Sequence, residues 1–490
     1  MAVLVFPAYA GDYYIAQTAA GSGNGSSEAN ADAIADLTWG NGNMVDAGDT
    51  LHLCGTITST LTIGADGTSE NPITIIFETG AKFSKAYWGS TTSAAIVNSG
   101  HDYIVINGGT TGIIESTDNG TALTNQQAVT GIYMIGTTGC EIKNLTLQNL
   151  YVRTPDSDDS HQNSMGIYGS NNNSLSIHDN TIEDVRYGIC CAASSGGNKS
   201  GLDIYNNDLS RMSTGIVVRL DGAVDYANVD IYGNTIYDFY VWDGEWNGGT
   251  TWNHNDGIHT WGNYSGNTLG PLNIYNNKIG GDFGEHTTSW IYLTDYTLPV
   301  TIYNNIFYGT AEGPAGGYVG YHNYGASGEL EFYNNVIDGP SSGNTGGMGL
   351  YMTGQTCAAS IKNNVFKDLY IGIYDRYGSD GSTLDTDYND FYNVGTVGRD
   401  ADGWYTSLND WKTNVSDEAN SITDNPDLNA NYKPDEGDDP VVNAGVALNG
   451  TFTTDKDGTT RGTTWDMGAY EFSEGGFALA PVAPRNLRID

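Results

Sequence analysis

The chain has 490 residues, and 19 Lys and Arg stand against 58 Asp and Glu, for a formal charge of −39. An acidic chain without a basic run excludes nucleic acid as a partner, and any polyanionic ligand would need a local cluster of cations or a divalent ion. No stretch is long and apolar enough to predict a membrane span. Gly (66) and Tyr (33) are plentiful and apolar residues recur in short alternating runs, which is a β-rich rather than a disordered composition. Five cysteines (Cys54, Cys140, Cys190, Cys191 and Cys357) with no CxxC pair indicate neither a zinc site nor a disulfide framework, so buried free thiols are expected.

The chain begins with a short apolar segment ending in Ala8-Tyr-Ala10, which resembles the tail of a signal peptide and predicts a secreted, extracellular protein of bacterial type. Residues 11–50 are read as an N-terminal cap, 51–395 as stacked coils, 396–475 as a C-terminal cap and 476–490 as a linker. The coils announce themselves by repetition. Ile177-His-Asp-Asn-Thr-Ile182 is followed by related units starting at Ile204, Ile231, Ile274, Ile302, Phe332 and Ile361, most of the form Ile-Tyr-Asn-Asn-x-Ile. The offsets are 27, 27, 43, 28, 30 and 29. Apolar positions on both sides of Asn-Asn suit two short strands meeting at a bend, and Asn tolerates the left-handed conformation a bend needs. The Asn amides of successive coils can form a ladder. About a dozen coils at roughly 4.8 Å spacing would make a rod some 50–60 Å long. A propeller would need longer blades, and a leucine-rich repeat a Leu scaffold.

These units resemble those of the pectate-lyase-like superfamily, and the resemblance implies an all-β, right-handed parallel β-helix. Farther on, Asp424-Asn-Pro-Asp-Leu428, Pro440-Val-Val-Asn-Ala-Gly445 and Asp466-Met-Gly-Ala-Tyr-Glu471 resemble the C-terminal cap of secreted bacterial β-helix proteins. Pro481-Val-Ala-Pro-Arg-Asn-Leu-Arg488 resembles a linker into a further module.

The strand before each Asn-Asn bend starts with Gly and an Ile or Leu that should point inward. Alternation then sends the third and fifth residues outward. The third positions are Tyr168, Cys190, Val217, His259, Tyr292, Val319, Tyr351 and Tyr374, and the fifth include Arg219, Trp261, Thr294, Tyr321 and Arg376. Arg186, two residues before its Gly, is also expected outward. The one long coil carries an insertion of about 15 residues, the usual form of a loop on a binding face. It holds Trp242, Trp246, Trp252 and His254 and runs into His259 and Trp261. Tryptophan offers a flat face for stacking on sugar rings.

This face predicts a carbohydrate-active enzyme with a polysaccharide substrate, expected to act as a monomer. The leading reading is a lyase on a uronate-containing polysaccharide. Elimination needs a cation on the carboxylate, a base and an acid, and Arg219, His259 and Tyr292 supply those types on neighbouring coils. Calcium could neutralise the carboxylate instead, held by Asp221, Asp256 and Asp295. A glycoside hydrolase would need two carboxylates, with Asp256 flanked by Asp221 or Asp295. A non-catalytic adhesin or spike would use the aromatics alone.

Overall fold

In the computed structural model the described residues are 10–40, 42–154, 163–242, 245–246, 251–252, 255–262, 266–284, 287–294, 299–309, 319–339, 347–376, 383–415 and 418–473. They form a parallel β-helix. A 25-stranded sheet and a 12-stranded sheet run the length of the molecule, and the pairings between coils are parallel. The larger sheet comprises two ladders that merge in the long strands Val319–Tyr333 and Met348–Lys362. Each coil therefore contributes three strands to a triangular cross-section, and crossover connections of this kind are right-handed in nearly all proteins. No helix of the described residues is long and apolar enough to cross a membrane.

Inside the helix, one residue of every repeat stacks on its equivalent. Ile177, Ile204, Ile231, Ile274, Ile302, Phe332 and Ile361 pair rung to rung and are wholly buried. The Asn-Asn bend divides its labour. The first residue takes the left-handed conformation, with φ of 54° at Asn206, 57° at Asn276 and 53° at Asn304. In the one copy that reads Tyr-Gly-Asn, Gly233 takes this place with φ 66°. The second residue builds the ladder. Asn180, Asn207, Asn234, Asn277, Asn305, Asn335, Asn364 and Asn389 are buried, and each of the first seven donates both its backbone N–H and its Nδ2 to the Oδ1 of the next. Outside the bend, His178, Tyr205, Tyr232, Tyr275 and Tyr303 stack at 4.4–4.8 Å.

The stack starts at Asp12–Ala16, which pairs in parallel with Thr50–Leu53. At the far end the helix Leu408–Val415 sets Trp411 over Gly398, where a Cβ would lie 2.2 Å from the indole. The following segment does not stay at the end but returns along the flank over the bends. Asn304 Nδ2 donates to Thr454 O (2.9 Å), Asn334 Nδ2 to Asp466 O (2.9 Å) and Asn363 Nδ2 to Val446 O (2.8 Å). Phe452 stacks on Tyr303 at 4.3 Å. Cys54, Cys140, Cys190 and Cys191 are buried free thiols.

Candidate active site

One ladder of the large sheet carries the outward column. Its register runs Tyr133, Tyr168, Cys190, Val217, His259, Tyr292, Gly320, Tyr351, Tyr374 and Arg399. Val319 was expected in this column, but it pairs with Ile291 and is wholly buried. Gly320 stands in its place. Tyr321 consequently pairs with Leu293 and Met352, both core residues, rather than with an outward position. With no side chain at Gly320, the column has a gap between Tyr292 and Tyr351.

Below that gap four of the expected residues meet. His259 lies edge-on to Tyr292, with ring centroids 5.0 Å apart, and edge-on to Trp261 at 4.6 Å. Trp261 pairs in register with Arg219, whose Cζ lies 5.4 Å from the indole centroid. The Arg219 Nε is 2.9 Å from Asp221 Oδ2. A guanidinium on an aromatic face keeps its charge while shedding water. Nearby, burial holds the Tyr168 and Tyr187 hydroxyls above the ordinary phenol range. Burial also pushes the Cys190 thiol up to about 11, so it carries no thiolate for nucleophilic work near neutrality.

Asp256 was expected as a metal ligand or a hydrolase carboxylate. It is wholly buried, and an extra residue in the neighbouring strand Thr287–Thr294 sets Ser289 opposite it. Asp256 Oδ2 lies 3.1 Å from His259 Nδ1, and Oδ1 accepts the Ser289 hydroxyl at 2.8 Å. A carboxylate this close to Nδ1 orients the ring. The Asp256–Ser289 contact was not anticipated; its only trace in the sequence is the Asn-Asp-Gly-Ile-His order.

Asp221 and Asp256 are not placed to hold one calcium ion together. Asp256 pairs with Thr214, and Asp221 lies seven residues beyond Thr214, so the two are about 23 Å apart along the strands. That distance prevents them from sharing an ion. It also exceeds the roughly 5–10 Å that separates the carboxylates of glycosidases. Asp295 and His254 lie outside the described residues.

Two further expectations are corrected. Trp242 is no sugar platform: it is 1% exposed, packs against Tyr151 at 6.0 Å and donates its indole N–H to Arg211 O at 3.2 Å. Its large apolar ring is worth more buried beneath the insertion than exposed on it. Arg186 is not outward but buried, with its guanidinium 4.5 Å over the Tyr187 ring. Trp246 and Trp252 belong to a small antiparallel hairpin, Glu245–Trp246 with Thr251–Trp252, and their side chains, like that of Tyr321, lie outside the description. Beyond Gly320, Tyr351 and Tyr374 sit 5.0 Å apart, Arg376 donates to the Tyr351 hydroxyl at 3.3 Å, and Arg399 lies 4.3 Å over Tyr374. Tyr133 stacks on Tyr168 at 5.6 Å on the other side. Aromatic and cationic groups thus extend along the column on both sides of His259.

No protein-family model matches the chain, and no curated protein matches it in sequence. It is similar in shape to XylC in complex with xylose (10% identity, TM-score 0.48, covering 95% of this chain and 99% of that one). It is similar to a lacto-N-biosidase from Eubacterium ramulus (13%, TM-score 0.47, 79% and 67%) and to pectate lyase Pel9A (13%, TM-score 0.38, 94% and 96%). At such identities these are similarities of shape alone.

Proposed function

We propose that this protein is a secreted polysaccharide lyase that cleaves a uronate-containing polymer by β-elimination at the His259 face. One observation carries the proposal: an imidazole backed by a buried carboxylate stands between a phenol on the next coil and a guanidinium on the previous one. His259 Nε2 takes the proton from C5 of the uronate. The electrons of that C–H bond form the C4–C5 double bond, and the C4–O bond breaks. Tyr292 gives its proton to the departing oxygen, and Arg219 neutralises the carboxylate whose charge makes C5 acidic. Asp256 does not touch the sugar; it positions the base. Tyr168, Tyr351 and Tyr374, with Trp261, offer faces for neighbouring sugars.

Hydrolysis by paired carboxylates is less well supported, because Asp256 is buried and already engaged and Asp221 lies far along the strand. The test is an ultraviolet time course on a panel of polyuronates, with reducing ends counted in parallel. Elimination makes one unsaturated uronate per new reducing end, and His259→Ala abolishes both. Reducing ends without absorbance would replace the lyase by a hydrolase. Binding without either signal would leave a glycan-binding protein.

A further inference from the structure

Away from this face, one buried carboxylate has no counterpart. In the last four strands of the 12-stranded sheet the first position runs Ile306, Val336, Val365, Asp390, and Asp390 then bridges to Ile422. Ile306, Val336 and Val365 are buried in an apolar cluster that the returning tail covers with Val441, Met467 and Tyr470. Asp390 is equally buried, at 0% exposure, and neither carboxylate oxygen has a hydrogen-bond partner. An isolated carboxylate in such surroundings costs several kcal/mol unless something compensates it.

The neighbour it does have is another acid. Ile422 pairs with Asp390 in an isolated bridge, and Asp424 follows two residues later in the adjoining bend. The charge of Asp424, after burial itself, is what raises the Asp390 carboxyl to about 8. Asp424 is exposed, and among the described residues its carboxylate has no hydrogen bond or ion pair of its own. Two carboxylates without partners, one buried and one exposed on the adjoining bend, would supply part of a hard-cation site. Calcium takes six to eight oxygens, so main-chain carbonyls and water would supply the rest.

We propose that Asp390 and Asp424 bind a divalent cation of the calcium class, which pins the segment from residue 418 to 428 onto the last coil. The hydrogen bonds there form the frame: Ile422 N–H donates to Asn389 O (2.9 Å) and Phe391 N–H to Ile422 O (3.0 Å).

The experiment uses the full chain, stripped with a chelator and titrated calorimetrically with calcium chloride, with melting curves in calcium and in chelator. The wild type should bind calcium and melt at least several degrees higher with it. Asp424→Asn, an exposed change that leaves the core intact, should weaken this binding at least tenfold. Asp390→Asn should melt at the same temperature with and without calcium. If neither calcium nor magnesium binds, or if Asp424→Asn and Asp390→Asn bind calcium as the wild type does, the site does not exist. A more stable, calcium-indifferent Asp390→Asn beside a calcium-indifferent wild type would identify Asp390 as a buried neutral acid.

Discussion

Adjacent asparagines should respond oppositely to the same substitution. At Asn277 the Oδ1 accepts Asn234 N–H (2.9 Å) and Nδ2 (3.0 Å), while Nδ2 donates to Ile231 O (2.9 Å) and Asn305 Oδ1 (3.0 Å). Aspartate preserves the shape and the acceptor but has no N–H to offer. Two buried hydrogen bonds disappear, worth about 0.5–1.5 kcal/mol each, and an oxygen now faces the Asn305 oxygen. The new carboxylate is wholly buried with two donors and no cation, which adds a further ~2 kcal/mol or more. Asn277→Asp should therefore lose about 3–5 kcal/mol, a large part of the stability of an ordinary domain. Asn276 is the left-handed residue of the same bend, half-buried, and its carbonyl accepts the Lys456 ammonium. Asp179 already occupies the equivalent place with φ 54°. Asn276→Asp removes no rung of the ladder, and although its Oδ1 is buried without a donor, Lys456 lies beside it, so stability should change by about 1 kcal/mol or less. Urea unfolding followed by tryptophan fluorescence, with hydrogen exchange to find where protection is lost, compares the two. An Asn277→Asp protein within about 1 kcal/mol of wild type, or an equally damaged Asn276→Asp protein, would refute the idea that the ladder rests on its amide donors.

Asp256→Asn should lower kcat by about 10² or more with KM within a few-fold, because the imidazole loses its orienting charge; a normal kcat removes Asp256 from the mechanism. Arg219→Lys keeps the charge but loses the planar fork and its stacking on Trp261, so kcat/KM on uronate polymers should drop ~10-fold or more while kcat/KM on methyl-esterified polymer changes less. Asp203 is raised to about 6 by burial and by the facing charge of Asp230. The fold therefore favours its protonated form, and that contribution is present below the unfolded carboxyl range near pH 4 and lost as pH rises through about 6. Asp203→Asn removes the loss, so melting curves should show the variant about 1–3 kcal/mol more stable than wild type at pH 8 and equal to it at pH 4.

The repeating unit by itself determines most of the scaffold. Its period sets the coil, its aliphatic positions set the inward rows, and Asn-Asn sets a left-handed residue followed by a ladder residue, because each of these depends only on near neighbours and on identical units above and below. The same local alternation is enough to put Tyr168, His259, Tyr292, Tyr351 and Tyr374 in one column. It is not enough in Gly317-Tyr-Val-Gly-Tyr-His322, where two registers alternate equally well and only pairing with the rungs on either side selects Gly320 over Val319. Side chains whose partners are remote in sequence behave similarly. Trp242 is buried against Tyr151, and the contact of Asp256 with Ser289 depends on an extra residue in the strand of the next coil. The tail lies over Asn304 and Asn334 from 150 and 132 residues away. Alternation is a property of the backbone and can be read along the chain, whereas burial and charge pairing are properties of the packed surface and are decided only when the coils have closed on one another.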